Sequence, residues 1–145
     1  TGNISFEFAS RGSTPITSVD ADFGCVKFIK QVAAEYDFNI AATKSDVFTF
    51  LERNKATYDI IFADPPYALD QKTFEKVVLT VFEKNALHED GMMVIEHSKY
   101  TKLDHLAHFS FKKSYGGSIF SFFEMEKSTE EQIDEEDLFE DSEEE

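Results

Sequence analysis

Apolar positions along this chain alternate between short unbroken runs and stretches in which they recur every three or four residues. Tyr58 to Ala63 is an unbroken run of strand length, and Gly91 to Glu96 is another. Between them, Gln71 to Asn85 places Phe74, Val77, Val78, Val81 and Phe82 on one face of a helix. The alternation extends upstream. Asn3 to Arg11 reads as a helix with Ile4, Phe6, Phe8 and Ala9 as apolar positions and Gly12 as its stop. Pro15 to Val19 is a short strand ending in Asp20, and Phe23 to Tyr36 is a helix through Val26, Phe28, Ile29, Val32 and Ala33. Phe38 to Ala42 predicts the next strand and Asp46 to Asn54 the next helix. Buried strands alternating with amphipathic helices give βα units with right-handed crossovers and a mostly parallel sheet, an α/β fold. The rhythm changes near the end. Phe109 to Lys113 and Ile119 to Glu126 flank Ser114-Tyr115-Gly116-Gly117, whose glycine pair supplies the positive backbone angles of a tight turn. This predicts an antiparallel hairpin closing the sheet.

Composition fits one domain. The chain has 145 residues, 41% of them hydrophobic, enough for a real core. No apolar stretch approaches the roughly 20 residues of a membrane helix, and the N-terminus lacks a charged-then-apolar signal pattern, so a soluble cytoplasmic protein is expected. The single cysteine, Cys25, excludes an internal disulfide and a cysteine-built metal site; it is expected to pack as a small buried apolar group. Four scattered histidines without ligand spacing give no metal motif, and His97, at the end of a strand, reads as structural.

The formal charge of −15 is concentrated at one end. Eleven of the 29 acidic residues lie between Glu130 and Glu145, and the remainder leaves 18 acidic against 14 basic residues. A like-charge run with few core-forming residues cannot offset its ordering entropy, so Ser128 to Glu145 is expected to be a disordered tail after a catalytic domain spanning 1–127. The charge therefore says little about the partners of the folded body. At the other end the chain opens on Thr1-Gly2-Asn3 rather than methionine and runs straight into a helix. The expectation is a sequence lacking its first strand, with the central sheet position empty.

Candidate chemistry gathers where strands end, since ligands of open α/β sheets bind there. Thr1-Gly2-Asn3 before a helix allows backbone N–H groups to approach a polar ligand, or is ordinary turn chemistry. Asp20 suits the two hydroxyls of a ribose, while Asp22 suits the N-cap of the following helix. Asp46 is ambiguous: either Ser45 or Asp46 caps the next helix, or Asp46 accepts from an adenine amino group. Asp64-Pro65-Pro66-Tyr67 is more specific. The prolines end the strand because they cannot donate a ladder hydrogen bond, but a turn alone requires neither the acid before them nor the aromatic after. The Asp64 carboxylate and the Pro65 carbonyl can hold both protons of an exocyclic amine while Tyr67 stacks on the base. Catalysis of this kind is mostly positioning.

With that tetrapeptide the chain resembles the class I S-adenosylmethionine-dependent methyltransferases that modify amines, which carry an (D/N/S)PP(Y/F/W) motif. From Thr1 to Glu126 the order and spacing are similar to the bacterial 16S ribosomal RNA guanine-N2 methyltransferase family: TGNISFEFASRG as the second half of motif I, SVDAD at Asp20, SDVFTFL at Asp46, and the Tyr115-Gly116 hairpin. The resemblance implies a three-layer Rossmann-like fold and S-adenosylmethionine as cofactor. It implies that Thr1 and Gly2 line the methionine end, Asp20 and Ala21 the ribose, and Asp46 and Val47 the adenine. Asp64, Pro65, Pro66 and Tyr67 would then hold the target amine against the methyl group. Glu7 fits a recurrent acid of the first helix, or is a structural carboxylate. The implied partner is 16S ribosomal RNA or a small-subunit assembly intermediate, met by a monomer, with the target base outside its stack. The alternatives are an N6-adenine or N4-cytosine DNA methyltransferase and a non-catalytic cofactor-binding remnant. The motif is shared among adenine, cytosine and guanine enzymes.

Overall fold

A computed structural model describes residues 3–125; Thr1, Gly2 and the acidic segment from Ser128 to Glu145 lie outside the described residues. The order is α1 (Asn3–Ser10), β1 (Ile16–Asp20), α2 (Phe23–Glu35), β2 (Ile40–Lys44), α3 (Val47–Arg53), β3 (Tyr58–Ala63), α4 (Gln71–Glu83), β4 (Leu87–Ser98), β5 (Phe109–Tyr115) and β6 (Ser118–Glu124). Every predicted element is present, and the architecture is the Rossmann-like α/β one.

Helix ends follow local chemistry. Asp22, Asp46 and Asp70 sit just before α2, α3 and α4, and their carboxylates accept the free N–H groups of each first turn. Three helices stop in one way. After α1, α2 and α4 a residue takes a positive φ (Gly12 at 92°, Asp37 at 55°, Asn85 at 53°), and the next N–H returns to a carbonyl of the last turn: Ser13 to Phe8, Phe38 to Ala33, Ala86 to Val81. This explains two boundary differences. Phe38 belongs to the end of α2, so β2 starts at Ile40 rather than Phe38, and α4 stops at Glu83 because Asn85 has already turned.

The strands form two hydrogen-bonded groups. β1 and β2 pair in parallel, Ile16 with Ile40 through Asp20 with Lys44. The other sheet has the order β3-β4-β6-β5, parallel between β3 and β4 and antiparallel across β4-β6-β5. No ladder joins the groups among the described residues, and the strands are divided between β1 and β3. β4 is also longer than expected. It starts at Leu87 opposite Tyr58, then skips to Met92 opposite Ile60. Gly91 sits at that irregularity, where an added Cβ would lie 2.8 Å from the Asp59 carbonyl oxygen. In the closing hairpin only Gly116 of the glycine pair has a positive φ, as a two-residue loop of type II′ requires at its first position.

The core lies between α4 and one face of the larger sheet. Phe74, Val77, Val78 and Val81 of α4 pack with Leu51 of α3, Met93 and Ile95 of β4, Phe123 of β6 and Leu103 of the β4–β5 connection. The pleat sends alternate residues to the opposite face, so Val94, Glu96, Phe120 and Phe122 point away from α4 and are half-buried. α1 and α2 pack on the smaller sheet. Among the described residues no helix is long and apolar enough to cross a membrane.

Candidate functional site

Asp20, Asp46, Asp64 and Glu96 all stand at or just beyond the carboxyl ends of parallel strands. They form two groups. At the first, Ser45 donates its N–H to the Asp20 carbonyl oxygen at 3.0 Å, which holds the β1 and β2 loops together. Asp20 is half-buried, and its Oδ1 accepts the N–H of Asp22 at 2.8 Å, leaving the carboxylate further acceptor capacity. Asp22 caps α2, as the sequence suggests, through bonds from the N–H groups of Gly24 and Cys25. Asp46 is more committed. It caps α3, its Oδ1 taking the Thr49 N–H at 3.0 Å and its Oδ2 the Thr49 hydroxyl at 2.6 Å, and these bonds hold its pKa below the ordinary value. Ala21 and Val47 are exposed beside these acids.

The second group is built by β3, β4 and the hairpin. Ala63 pairs with Ile95, so the next position along each strand sets Asp64 beside Glu96 on the face away from α4. The Pro65-Pro66 step ends the ladder, the Leu69 N–H closes on the Pro66 carbonyl oxygen at 3.1 Å, and Asp70 starts α4. This short turn brings Tyr67 back over the strand ends. Its hydroxyl donates to Glu96 Oε1 at 3.3 Å and bonds to the Ser118 hydroxyl, while nearly half of the residue, 48%, remains exposed. Partial burial first, and then the charge and hydrogen bond of Glu96, raise the pKa of Asp64 above the aspartate value of 3.8. Two acids thus share one end of the sheet with an aromatic edge fixed across them.

The sequence reading passed over Glu96 and Ser118. Glu96 does carry a signal: it is the acid that follows an apolar strand, and its parallel neighbour ends in Asp64. Ser118 carries none, because its place depends on the hairpin register that pairs it with Ser98.

Of the remaining candidates, Thr1 and Gly2 lie outside the described residues. Glu7 forms an exposed i,i+4 pair with Arg11 at 2.7 Å. Cys25 is half-buried rather than buried, and burial together with Asp20 and Asp22 raises its thiol pKa, opposite to what a nucleophile needs. Among the described residues no cluster could hold a metal ion.

His97 is 2% exposed on the α4 face. Its Nδ1 lies 2.8 Å from the Ser98 carbonyl oxygen, which can only accept, so Nδ1 carries the proton and Nε2 accepts from the Ser121 hydroxyl at 2.7 Å. Burial, with Lys112 and Lys102 nearby, lowers its pKa against the pull of the Ser98 carbonyl. The unfolded chain therefore binds this proton more readily than the folded one. Stability from His97 is complete above its unfolded value of about 6.5 and is lost as pH falls through it. The urea midpoint should drop between pH 7.5 and 5.5, and by less in His97→Gln, which keeps one donor and one acceptor but cannot titrate; equal drops would refute the assignment.

The model of the family described as Conserved hypothetical protein 95 matches residues 1–124. Among solved structures, a protein from Haemophilus influenzae described as a candidate methylase superposes with a TM-score of 0.75 at 19% identity, covering 86% of this chain and 81% of that one. A conserved hypothetical protein from Streptococcus pyogenes gives 0.76 at 24% identity, over 86% and 80%. YhhF from Escherichia coli, described as a candidate methyltransferase, gives 0.72 at 20% identity, over 86% and 71%. At these identities the likeness shows the fold. No curated protein matches the sequence.

Proposed function

The chain belongs to the Conserved hypothetical protein 95 family, and on that footing we propose that it transfers a methyl group from S-adenosylmethionine to the N2 amine of a guanine in 16S ribosomal RNA. The observation that carries the reading is the pairing of Asp64 with Glu96 under Tyr67 at the carboxyl ends of β3 and β4. An exocyclic amine attacks through its nitrogen lone pair. To aim that pair, both N–H bonds must be held, and a carboxylate followed by a carbonyl-bearing proline supplies two adjacent acceptors without offering a competing N–H. Tyr67 supplies an exposed ring against which the base can stack. Its hydroxyl contacts to Glu96 and Ser118 fix the ring in advance, so little ordering remains to be done on binding.

The first group of acids fits the cofactor. Asp20 is a half-buried acceptor at the end of β1, suited to the vicinal hydroxyls of a ribose. Asp46 is occupied by Thr49, but each carboxylate oxygen has a second lone pair, and Val47 offers backbone beside it. When bound, S-adenosylmethionine supplies a sulfonium methyl, the electrophile of the reaction. The residues of the chain orient the amine and exclude misaligned bases; no strong base is required, because the amine loses its proton after it has become positively charged. The likeness to structures described as methylases and methyltransferases supports this reading.

Small subunits or 16S RNA lacking the modification, incubated with the protein and methyl-labelled S-adenosylmethionine, should acquire label at a guanine N2. Label at adenine N6 or cytosine N4, or transfer to duplex DNA in preference to RNA, would overturn the proposal.

A further inference from the structure

We infer that Glu96 is a base-reading residue: its carboxylate accepts the ring N1–H of the target while Asp64 holds the neighbouring amine, which restricts the site to guanine among the amine-bearing bases. The inference rests on the proposal that the site methylates a base amine.

The geometry makes the two acids a unit. They follow a paired position of parallel strands, point to the same side of the sheet, and are close enough for Glu96 to raise the pKa of Asp64. Glu96 is half-buried, and the Tyr67 hydroxyl donates to its Oε1, so the carboxylate is oriented while its other oxygen is left to accept. Guanine presents an N–H at N1 directly beside the amino group at N2, two donors in a row. Two adjacent carboxylates match that edge. Adenine and cytosine place an unprotonated ring nitrogen next to their amines, and a lone pair facing the Glu96 carboxylate is repelled. The discrimination comes as much from this repulsion as from the added hydrogen bond. Glu96 is not a member of the buried cluster around Phe74, and its side-chain hydrogen bond is with Tyr67.

RNA carrying 2-aminopurine in place of the target guanine provides the test, since this base keeps the N2 amine but has a bare N1. The unmodified protein should methylate guanine with a kcat/KM about 10- to 100-fold above that for 2-aminopurine. Glu96→Gln, whose amide can donate to a bare N1, should narrow that ratio several-fold by losing rate on guanine and retaining or gaining it on 2-aminopurine. RNA with inosine at the position, which keeps N1–H and lacks the amine, should compete with substrate for the unmodified protein and compete less well for Glu96→Gln. An unaltered ratio in the variant, or equal rates on the two bases in the unmodified protein, overturns the role of Glu96 while leaving guanine methylation standing. Absence of transfer to guanine in the unmodified protein overturns the function itself and this inference with it.

Discussion

Asp64→Ala is expected to lower methyl transfer by about 100- to 1000-fold, the loss found when one preorganised hydrogen-bonding partner of a reacting group is removed. In the proposed reaction the carboxylate meets the amine directly, and no neighbour takes its place: Glu96 is held by Tyr67, and Pro65 contributes only its carbonyl. Folding should be unaffected, because Asp64, only partly buried, lies beyond the end of β3 and caps no helix. Removing it even relieves a small cost. The folded pKa of Asp64 is raised, so between 3.8 and that higher value the folded state holds the extra proton, and above this window the group disfavours folding. A thermal melt at pH 7.5 should therefore show the variant at least as stable as the unmodified protein while single-turnover transfer collapses. The same shift gives the unmodified protein an acid limb: transfer should fall with decreasing pH through a value above 3.8, as protonation of Asp64 removes an acceptor. A variant with near-normal transfer would remove Asp64 from the reaction.

Phe74→Ala is expected to cost about 3–5 kcal/mol, a large part of the roughly 5–15 kcal/mol that stabilises a domain. The Phe74 ring is completely buried, packed among α4, β4 and β6, and stands edge-to-face with the His97 imidazole at a centroid distance of 6.4 Å. Truncation leaves a cavity inside the cluster that joins α4 to the larger sheet. Urea unfolding followed by circular dichroism should show a midpoint lowered in proportion with little change of slope. A loss below about 1 kcal/mol would mean that the site collapses to refill itself. Phe48, by contrast, is a peripheral aromatic held by Lys76 at 4.4 Å from its ring centre, a contact of about 0.5–1 kcal/mol at an exposed site.

Most of the elements were legible because their signals are local. The apolar runs of β3 and β4, the spacing of Phe74, Val77, Val78 and Val81, and the aspartates ahead of α2 and α3 each act within a few residues. The boundary differences at Phe38 and Asn85 have a common cause: Asp37 and Asn85 took the left-handed conformation that glycine signals more plainly, as at Gly12. The early start of β4 was hidden for a different reason, since the pairing of Leu87 with Tyr58 across an irregularity is a property of two strands and of neither alone. In the site, Asp64-Pro65-Pro66-Tyr67 was readable as one contiguous motif. Glu96 and Ser118 come from two other strands, 32 and 54 positions away in the chain, and only the register brings them to Asp64 and Tyr67. Asp46 shows the opposite limit. Its cap was one of two readings of the sequence, and the structure shows the cap occupied by Thr49.

The division of the strands between β1 and β3 has a consequence for how the chain opens. Every member of the buried cluster around Phe74 belongs to α3, α4, the β3–β6 sheet or their connections, and none to β1 or β2. Amides in the two units are thus protected by different sets of contacts, the smaller sheet by two strands and the helices on them, the larger by the main core. Asp20 rides on the smaller sheet, outside that cluster, and Asp64 on the sheet that carries it. Amide exchange should therefore be faster in β1 and β2 than in β3 and β4.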